Sequence, residues 1–164
     1  MKKSLLCFFV VLTALATGCD KNDSSKEKDI VPGSVAFHEY TLEVDHSEWY
    51  AATRPEGVLY GHEVYKVRSA DQFRQLFPAS PVPSFDFRKE VLLIAHREYS
   101  HSGYILTPSL YRNDDGSLVL HVKIEDTYVQ LPVIVTWRLT VGIDDSLADE
   151  PVELRVEELG YTGD

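Results

Sequence analysis

The segment "VLLIA", Val91–Ala95, is apolar at every position. A short continuous apolar run is typical of a β-strand covered on both faces, whereas a strand with one face in water alternates apolar and polar residues. The run is also too short for a buried helix, which needs about ten residues or more. We therefore expect Val91–Ala95 to be the central strand of the fold.

The rest of the chain shows the alternating pattern of half-buried strands. The clearest cases are "SLVLHVKIE" (117–125), "VIVTWRLTV" (133–141) and "VELRVEE" (152–158). Weaker strand patterns cover Val35–Val44, Tyr60–Arg68 and Tyr104–Arg112. The sequence therefore predicts a mainly β fold, an antiparallel β-sandwich or partly open barrel of about seven strands with one short helix.

The one predicted helix precedes the central strand. Ser69 can cap its N-terminus, and Gln72 stands at the capping-box position three residues later. Its inner side would carry Phe73, Leu76 and Phe77, and it would end at the prolines Pro78, Pro81 and Pro83. A hairpin turn is predicted at Asp115-Gly116, because glycine readily adopts positive φ.

The segment His46–Gly61 is predicted to be a long loop that carries aromatic residues. It contains Trp49, Tyr50 and Tyr60, together with a proline and a glycine. Such aromatic residues either contact another protein or cover the core of their own domain. The sequence leaves both alternatives open.

The N-terminus has the order of features of a secretory signal. Two lysines precede the apolar run "SLLCFFVVLTAL" (4–15), which is shorter than the roughly 20 residues of a membrane-spanning helix. Ala16, Thr17 and Gly18 then lead to Cys19. This pattern resembles the lipobox of bacterial lipoproteins. The resemblance implies that residues 1–18 are a signal peptide and that Cys19 is the site of lipid attachment.

The residues after Cys19 complete this prediction. Residues 19–33 are mostly polar and charged, so we expect a tether that buries too little apolar surface to fold. Residues 34–160 would form a single β-rich domain. The expected location is the bacterial cell envelope, lipid-anchored at the outer membrane or a periplasmic leaflet. The membrane would be a partner through the N-terminal lipid, because two or more acyl chains bind a bilayer durably.

Composition and motifs argue against several classes of function. The net charge is −10 and no cluster of basic residues occurs, so we expect no nucleic-acid partner. The only cysteines, Cys7 and Cys19, precede the predicted domain, which excludes a disulfide or a cysteine nucleophile within it. Because no nucleophile elbow, phosphate loop or dinucleotide fingerprint occurs, we expect neither enzymatic activity nor a cofactor.

Two polar segments are candidate metal sites. In "HREYSHSGY" (96–104), His96 and Glu98 share one face of a strand, and a turn could bring His101 toward them as ligands for zinc. Because the spacing is not diagnostic, the favoured interpretation is a polar edge after a buried strand, with no metal. In "DDSLADE" (144–150) the carboxylates could attract calcium, although a solvated hairpin loop explains them better.

Two longer segments carry a resemblance to a known family. These are "VYKVRSADQFRQLF" (64–77) and "FDFRKEVLLIAHREYSHSGYIL" (85–106). They resemble the C-terminal domain of the PrcB protease-complex subunit family, with Ser102 in place of the first glycine of the family's Gly-Gly-Tyr turn. The resemblance implies a protein-binding or accessory subunit of an envelope or protease complex. The alternative is an envelope domain that binds a metal or small ligand through His96, Glu98 and His101.

The predicted lipid anchor can be tested by substituting Cys19, whose sulfur atom would carry the lipid. We expect Cys19→Ser to move the protein from the membrane to the soluble fraction, because serine cannot form the thioether to diacylglycerol. Intact-mass measurement and membrane fractionation check this, with Cys7→Ser as the matched control that stays membrane-bound. Equal membrane association of both variants would contradict the prediction.

Overall fold

The computed structural model describes residues 33–100, 102–131 and 133–159. Seven strands and two short helices make up this part of the chain. The strands are β1 (His38–Glu39), β2 (Val64–Val67), β3 (Glu90–Tyr99), β4 (Ser102–Arg112), β5 (Leu118–Leu131), β6 (Val135–Asp144) and β7 (Val152–Leu159). The helices are α1 (His46–Thr53) and α2 (Ala70–Leu76), and a 3₁₀ turn covers Asp145–Leu147.

The strands form two sheets, one with the order β1-β6-β3-β2 and one with the order β4-β5-β7. This arrangement confirms the predicted mainly β fold as a sandwich, and the described strands do not close into a barrel. One pairing differs from the expectation of an all-antiparallel fold, since β5 and β7 are parallel. The reason is that the chain crosses from one sheet to the other between β6 and β7, so β7 does not form a hairpin with β6.

Strand β3 is central, as its apolar run predicts. It pairs with β2 on one side and β6 on the other, and every residue from Val91 to Ala95 is fully buried. Because successive side chains of a strand point to opposite faces, Val91 and Leu93 enter the core between the sheets, while Leu92 enters a second core beneath the helices. The protein is therefore built in three layers, with β3 in the middle one.

Each core contains the strand faces expected from the alternating segments. The core between the sheets includes Leu118, Leu120, Val122 and Ile124 of β5 and Trp137, Leu139 and Val141 of β6. The second core joins the helices to the four-stranded sheet through Trp49, Ala52, Leu59, Val67, Phe73, Leu76 and Phe77. The predicted strand start at Val133 was wrong, because Val133 is exposed and β6 begins two residues later.

Helix α2 forms where the capping pattern predicts it. The Ser69 side chain accepts a hydrogen bond from the Gln72 amide at 3.1 Å, and the Gln72 side chain accepts one from the Arg68 amide at 2.6 Å. The expectation of a single helix was wrong, because α1 forms within the predicted loop and Asp45 caps it. None of the described helices is long and apolar enough to cross a membrane.

The first predicted strand is shorter than its pattern because the segment serves both sheets. Val35 donates a backbone hydrogen bond to Leu110 of β4 at 2.8 Å, whereas His38 and Glu39 pair with β6 in the other sheet. The predicted hairpin is confirmed between β4 and β5, where Gly116 has a φ of 88°. The ends of β1 are thus set by the path of the chain between the two sheets, whereas the ends of β4 and β5 at the hairpin follow the local sequence.

The acidic segment 144–150 connects the two sheets, so its interpretation as a hairpin loop was wrong. Asp144 caps the 3₁₀ turn through the Ser146 amide at 2.9 Å. Asp149 pairs with Arg68 at 2.7 Å, and Glu150 accepts a hydrogen bond from Arg112 at 2.9 Å. These carboxylates therefore hold the crossing between the sheets rather than forming an open oxygen cluster.

Because both faces of β3 are buried, we expect neighbouring residues that point to opposite faces to contribute similarly to the free energy of unfolding. We expect Leu92→Ala and Leu93→Ala each to lower the free energy of unfolding by about 2–5 kcal/mol, since each leaves a cavity in a different core. Ile105→Ala, at an exposed position of β4, should cost no more than about 0.5 kcal/mol. Urea unfolding measures all three. A small effect for either leucine variant would contradict the three-layer arrangement.

Candidate functional site

His96 and Glu98 lie on the same face of β3, as predicted. They line a cavity of about 290 Å³ together with His62 and Tyr60. The Nε2 atom of His96 is 3.3 Å from the carbonyl oxygen of Leu59 and donates to it when it carries the proton. Burial lowers the pKa of His96, and the neighbouring positive charge of Arg138 and the His62 ring lower it further.

The proposed third ligand, His101, lies outside the described residues. Within the described part of the chain, no three histidine, cysteine, aspartate or glutamate residues are grouped closely enough to hold a metal ion. His96 is directed toward a backbone carbonyl, and Glu98 is exposed. A metal site at His96, Glu98 and His101 thus stays a prediction that depends on His101.

Helix α1 divides the aromatic residues of the segment 46–61 between the core and the surface. Trp49 is 5% exposed and its ring is 4.7 Å from that of Phe77, so it covers the core. Tyr50 and Tyr60 are exposed by 64% and 56%. Trp49 therefore covers the core, whereas a contact of the exposed Tyr50 and Tyr60 with another protein stays a prediction.

The position of α1 is held by polar contacts at its first turn. The Asp45 side chain accepts a hydrogen bond from the Ser47 amide at 2.8 Å and caps the helix. Glu48 accepts hydrogen bonds from the Ala79 amide at 2.6 Å and from the Ser80 hydroxyl. These contacts attach α1 to the loop after α2. The cap at Asp45 is the sequence signal from which this helix could have been predicted.

Strand β6 has an open edge beside α1. Strand β1 pairs with it only at Val141 and Gly142, and the Tyr40 amide donates to the Thr140 carbonyl at 2.9 Å. From Val135 to Leu139, no described strand pairs with this side of β6. Because residues of the same parity direct their backbone groups to the same side, Thr136 and Arg138 present an amide and a carbonyl outward.

Exposed apolar side chains flank this open edge. Ile134 is 77% exposed, and with Tyr50 it lines a cavity of about 380 Å³. His46, Thr53 and Arg138 are also part of its lining. We call this region, Tyr50, Ile134 and the edge Val135–Leu139, the α1–β6 surface. It combines exposed apolar area with backbone groups that have no strand partner.

Arg138 lies at the centre of this region. Its guanidinium carbon is 5.0 Å from the centroid of the Trp49 ring, a cation–π distance. Its Nε atom is buried and has no hydrogen-bond partner among the described residues. Burial lowers the pKa of the guanidinium, which still stays charged at neutral pH. No sequence signal pointed to this residue, because the alternation marks position 138 only as part of the polar face of a strand.

The lowered pKa of His96 has a measurable consequence for stability. Between the ordinary histidine pKa of about 6.5 and the lower folded value, the unfolded chain binds more protons than the folded one. The free energy of unfolding should therefore decrease as the pH falls below about 6.5. His96→Gln should weaken this pH dependence, because glutamine does not titrate.

The NMR titration of His96 measures its pKa directly. We expect a midpoint below about 6.5, the ordinary histidine value. A midpoint above that value, or an unchanged pH dependence of unfolding in His96→Gln, would contradict the described burial of this ring.

The chain matches no protein-family model, no curated protein and no solved structure. The likeness to the PrcB C-terminal domain consequently rests on the sequence segments 64–77 and 85–106 alone. The geometry of the α1–β6 surface is the remaining basis on which to infer a function.

Proposed function

We propose that this chain is a lipid-anchored protein of the bacterial cell envelope whose β-sandwich is a non-enzymatic binding module, an accessory subunit that contacts another envelope protein or a protease. The lipobox-like sequence at Cys19 supports the anchor. The open edge of β6 carries the proposal of a protein contact. The partner would contribute an extended segment that pairs with Val135–Leu139.

The other open strand edges differ from that of β6. Natural sheets protect their edges with short strands, proline or charged residues, because unpaired backbone groups attract further strands. Strand β2 has four residues, β4 contains Pro108, and β7 carries Glu153, Arg155 and Glu157 at exposed positions. Residues 135–139, "VTWRL", contain no proline, and their one charged side chain lies over Trp49. This edge is thus the one best suited to a partner strand.

The apolar side chains beside the edge add specificity to such pairing. In β-strand addition, main-chain hydrogen bonds give affinity and flanking side-chain pockets select the sequence. Tyr50 and Ile134 border a cavity of about 380 Å³ at the end of the open stretch. An apolar side chain of the partner segment would occupy this cavity and remove exposed apolar area from water.

Photocrosslinking in the native host tests the contact. We expect p-benzoylphenylalanine at position 50 or 134 of the full-length chain to give a discrete adduct of the same mass. The matched control is position 105, since Ile105 is 55% exposed but lies on β4 in the other sheet. Absence of an adduct at positions 50 and 134, or the same adducts at position 105, would contradict the proposed surface.

A proline at the open edge tests strand pairing specifically. Thr136→Pro removes an amide that has no strand partner within the described chain, so the fold should tolerate it. We expect this variant to lose most of the adduct at position 50, whereas Thr136→Ala retains it. Thermal unfolding checks that both variants remain folded. An undiminished adduct in Thr136→Pro would exclude pairing along β6.

A further inference from the structure

Arg138 differs from the other arginines of the described residues. All of them except Arg97 and Arg138 form an ion pair with a carboxylate; the pairs are Arg54–Glu56, Arg68–Asp149, Arg74–Asp71, Arg88–Asp86, Arg112–Glu150 and Arg155–Glu153. Arg97 is exposed and therefore hydrated, whereas Arg138 is half-buried. In a chain with a net charge of −10, a half-buried guanidinium that has no carboxylate partner is unusual.

The surroundings of Arg138 compensate only part of its lost hydration. Trp49 contacts one face of the guanidinium, and the buried Nε donor has no acceptor within the described chain. Removing a charged donor from water is unfavourable unless a hydrogen-bonded counter-charge replaces the water. An anion in the adjoining cavity would supply that counter-charge at the two terminal nitrogens, because guanidinium and carboxylate match as two parallel hydrogen bonds.

Arg138 borders a cavity large enough for a small molecule. The cavity has a volume of about 470 Å³ and lies between β6 and the segment 40–44. This volume falls within the range of roughly 300–1,000 Å³ that is typical of ligand pockets. Its apolar lining is provided by Leu42, Val44, Trp49, Leu106 and Leu139. A ligand that fits would therefore combine one anionic group with an apolar body.

The charges around the cavity favour a singly charged ligand. Arg138 is the only arginine or lysine in its lining, and Glu39 contributes a negative charge. A doubly charged phosphate ester would be left with an excess of negative charge, whereas one carboxylate balances one guanidinium. We propose that the Arg138 cavity is a binding site for a small organic acid with an apolar body. Arg138 also belongs to the α1–β6 surface, but the acid would bind its side chain, whereas a partner strand would pair with the backbone of Val135–Leu139.

Intrinsic fluorescence offers a direct assay. The chain has two tryptophans, and Trp49 contacts Arg138 whereas Trp137 lies in the core between the sheets. We expect phenylacetate, added to the full-length chain in non-ionic detergent, to change the Trp49 emission in a saturable way. Phenylacetamide, which lacks the charge, should bind at least about tenfold more weakly, and so should phenylphosphonate at a pH above its second pKa, where it is a dianion. Equal binding of acid and amide would overturn the proposal.

Substitution of Arg138 tests whether phenylacetate binds in this cavity. We expect Arg138→Gln to weaken phenylacetate binding at least about tenfold, with Arg138→Lys intermediate because lysine keeps the charge but lacks the planar fork. Arg97→Gln, the matched control at the other unpaired arginine, should bind as the parent does. Unchanged binding in Arg138→Gln, or the same loss in Arg97→Gln, would overturn the assignment.

A measurement on the unsubstituted chain does not depend on whether the variants fold. We expect phenylacetate to shift the NMR signal of the terminal guanidinium N–H groups of Arg138 downfield, as a new charge-assisted hydrogen bond does. Phenylacetamide should leave this signal in place. No shift with phenylacetate at millimolar concentration would overturn the proposal, whatever the behaviour of the variants.

Discussion

The burial of β3 on both faces is the constraint on which the whole architecture depends. A strand with apolar side chains on both faces is stable only when both faces are shielded from water. One face must therefore pack against a second sheet, and the other face must pack against helices or a further sheet. Here β4, β5 and β7 cover one face, and α1 and α2 cover the other. The two helices are short, yet without them Leu92 and Ile94 would be exposed.

The parts of this fold that could be predicted are those that local sequence specifies. Alternation identifies which face of β5 is buried, and Ser69 with Gln72 marks the start of α2. Asp115-Gly116 marks the hairpin because its backbone requirement is local. Each of these signals acts over a few residues, so a single sequence is enough to read it.

Features that depend on distant residues could not be predicted. Alternation carries no information about strand direction, so the parallel pairing of β5 and β7 was not apparent. Helix α1 buries only Trp49 and Ala52, which is too few apolar positions for a clear helical period, so its local signal is limited to the cap at Asp45. The candidate site at Arg138 is defined by the absence of a nearby carboxylate in the described fold, and such an absence becomes visible only when the neighbours are known.

The described chain enters the sandwich at one end of its strands. Gly33 accepts a hydrogen bond from the Arg112 amide at 2.9 Å, at the same end as the β4–β5 hairpin. The start of β6 lies at the opposite end, about 30 Å away along a ten-residue strand. Tyr50 and Ile134 therefore lie at the pole of the domain remote from Gly33, so a partner bound there would leave the point where the preceding chain joins the domain uncovered.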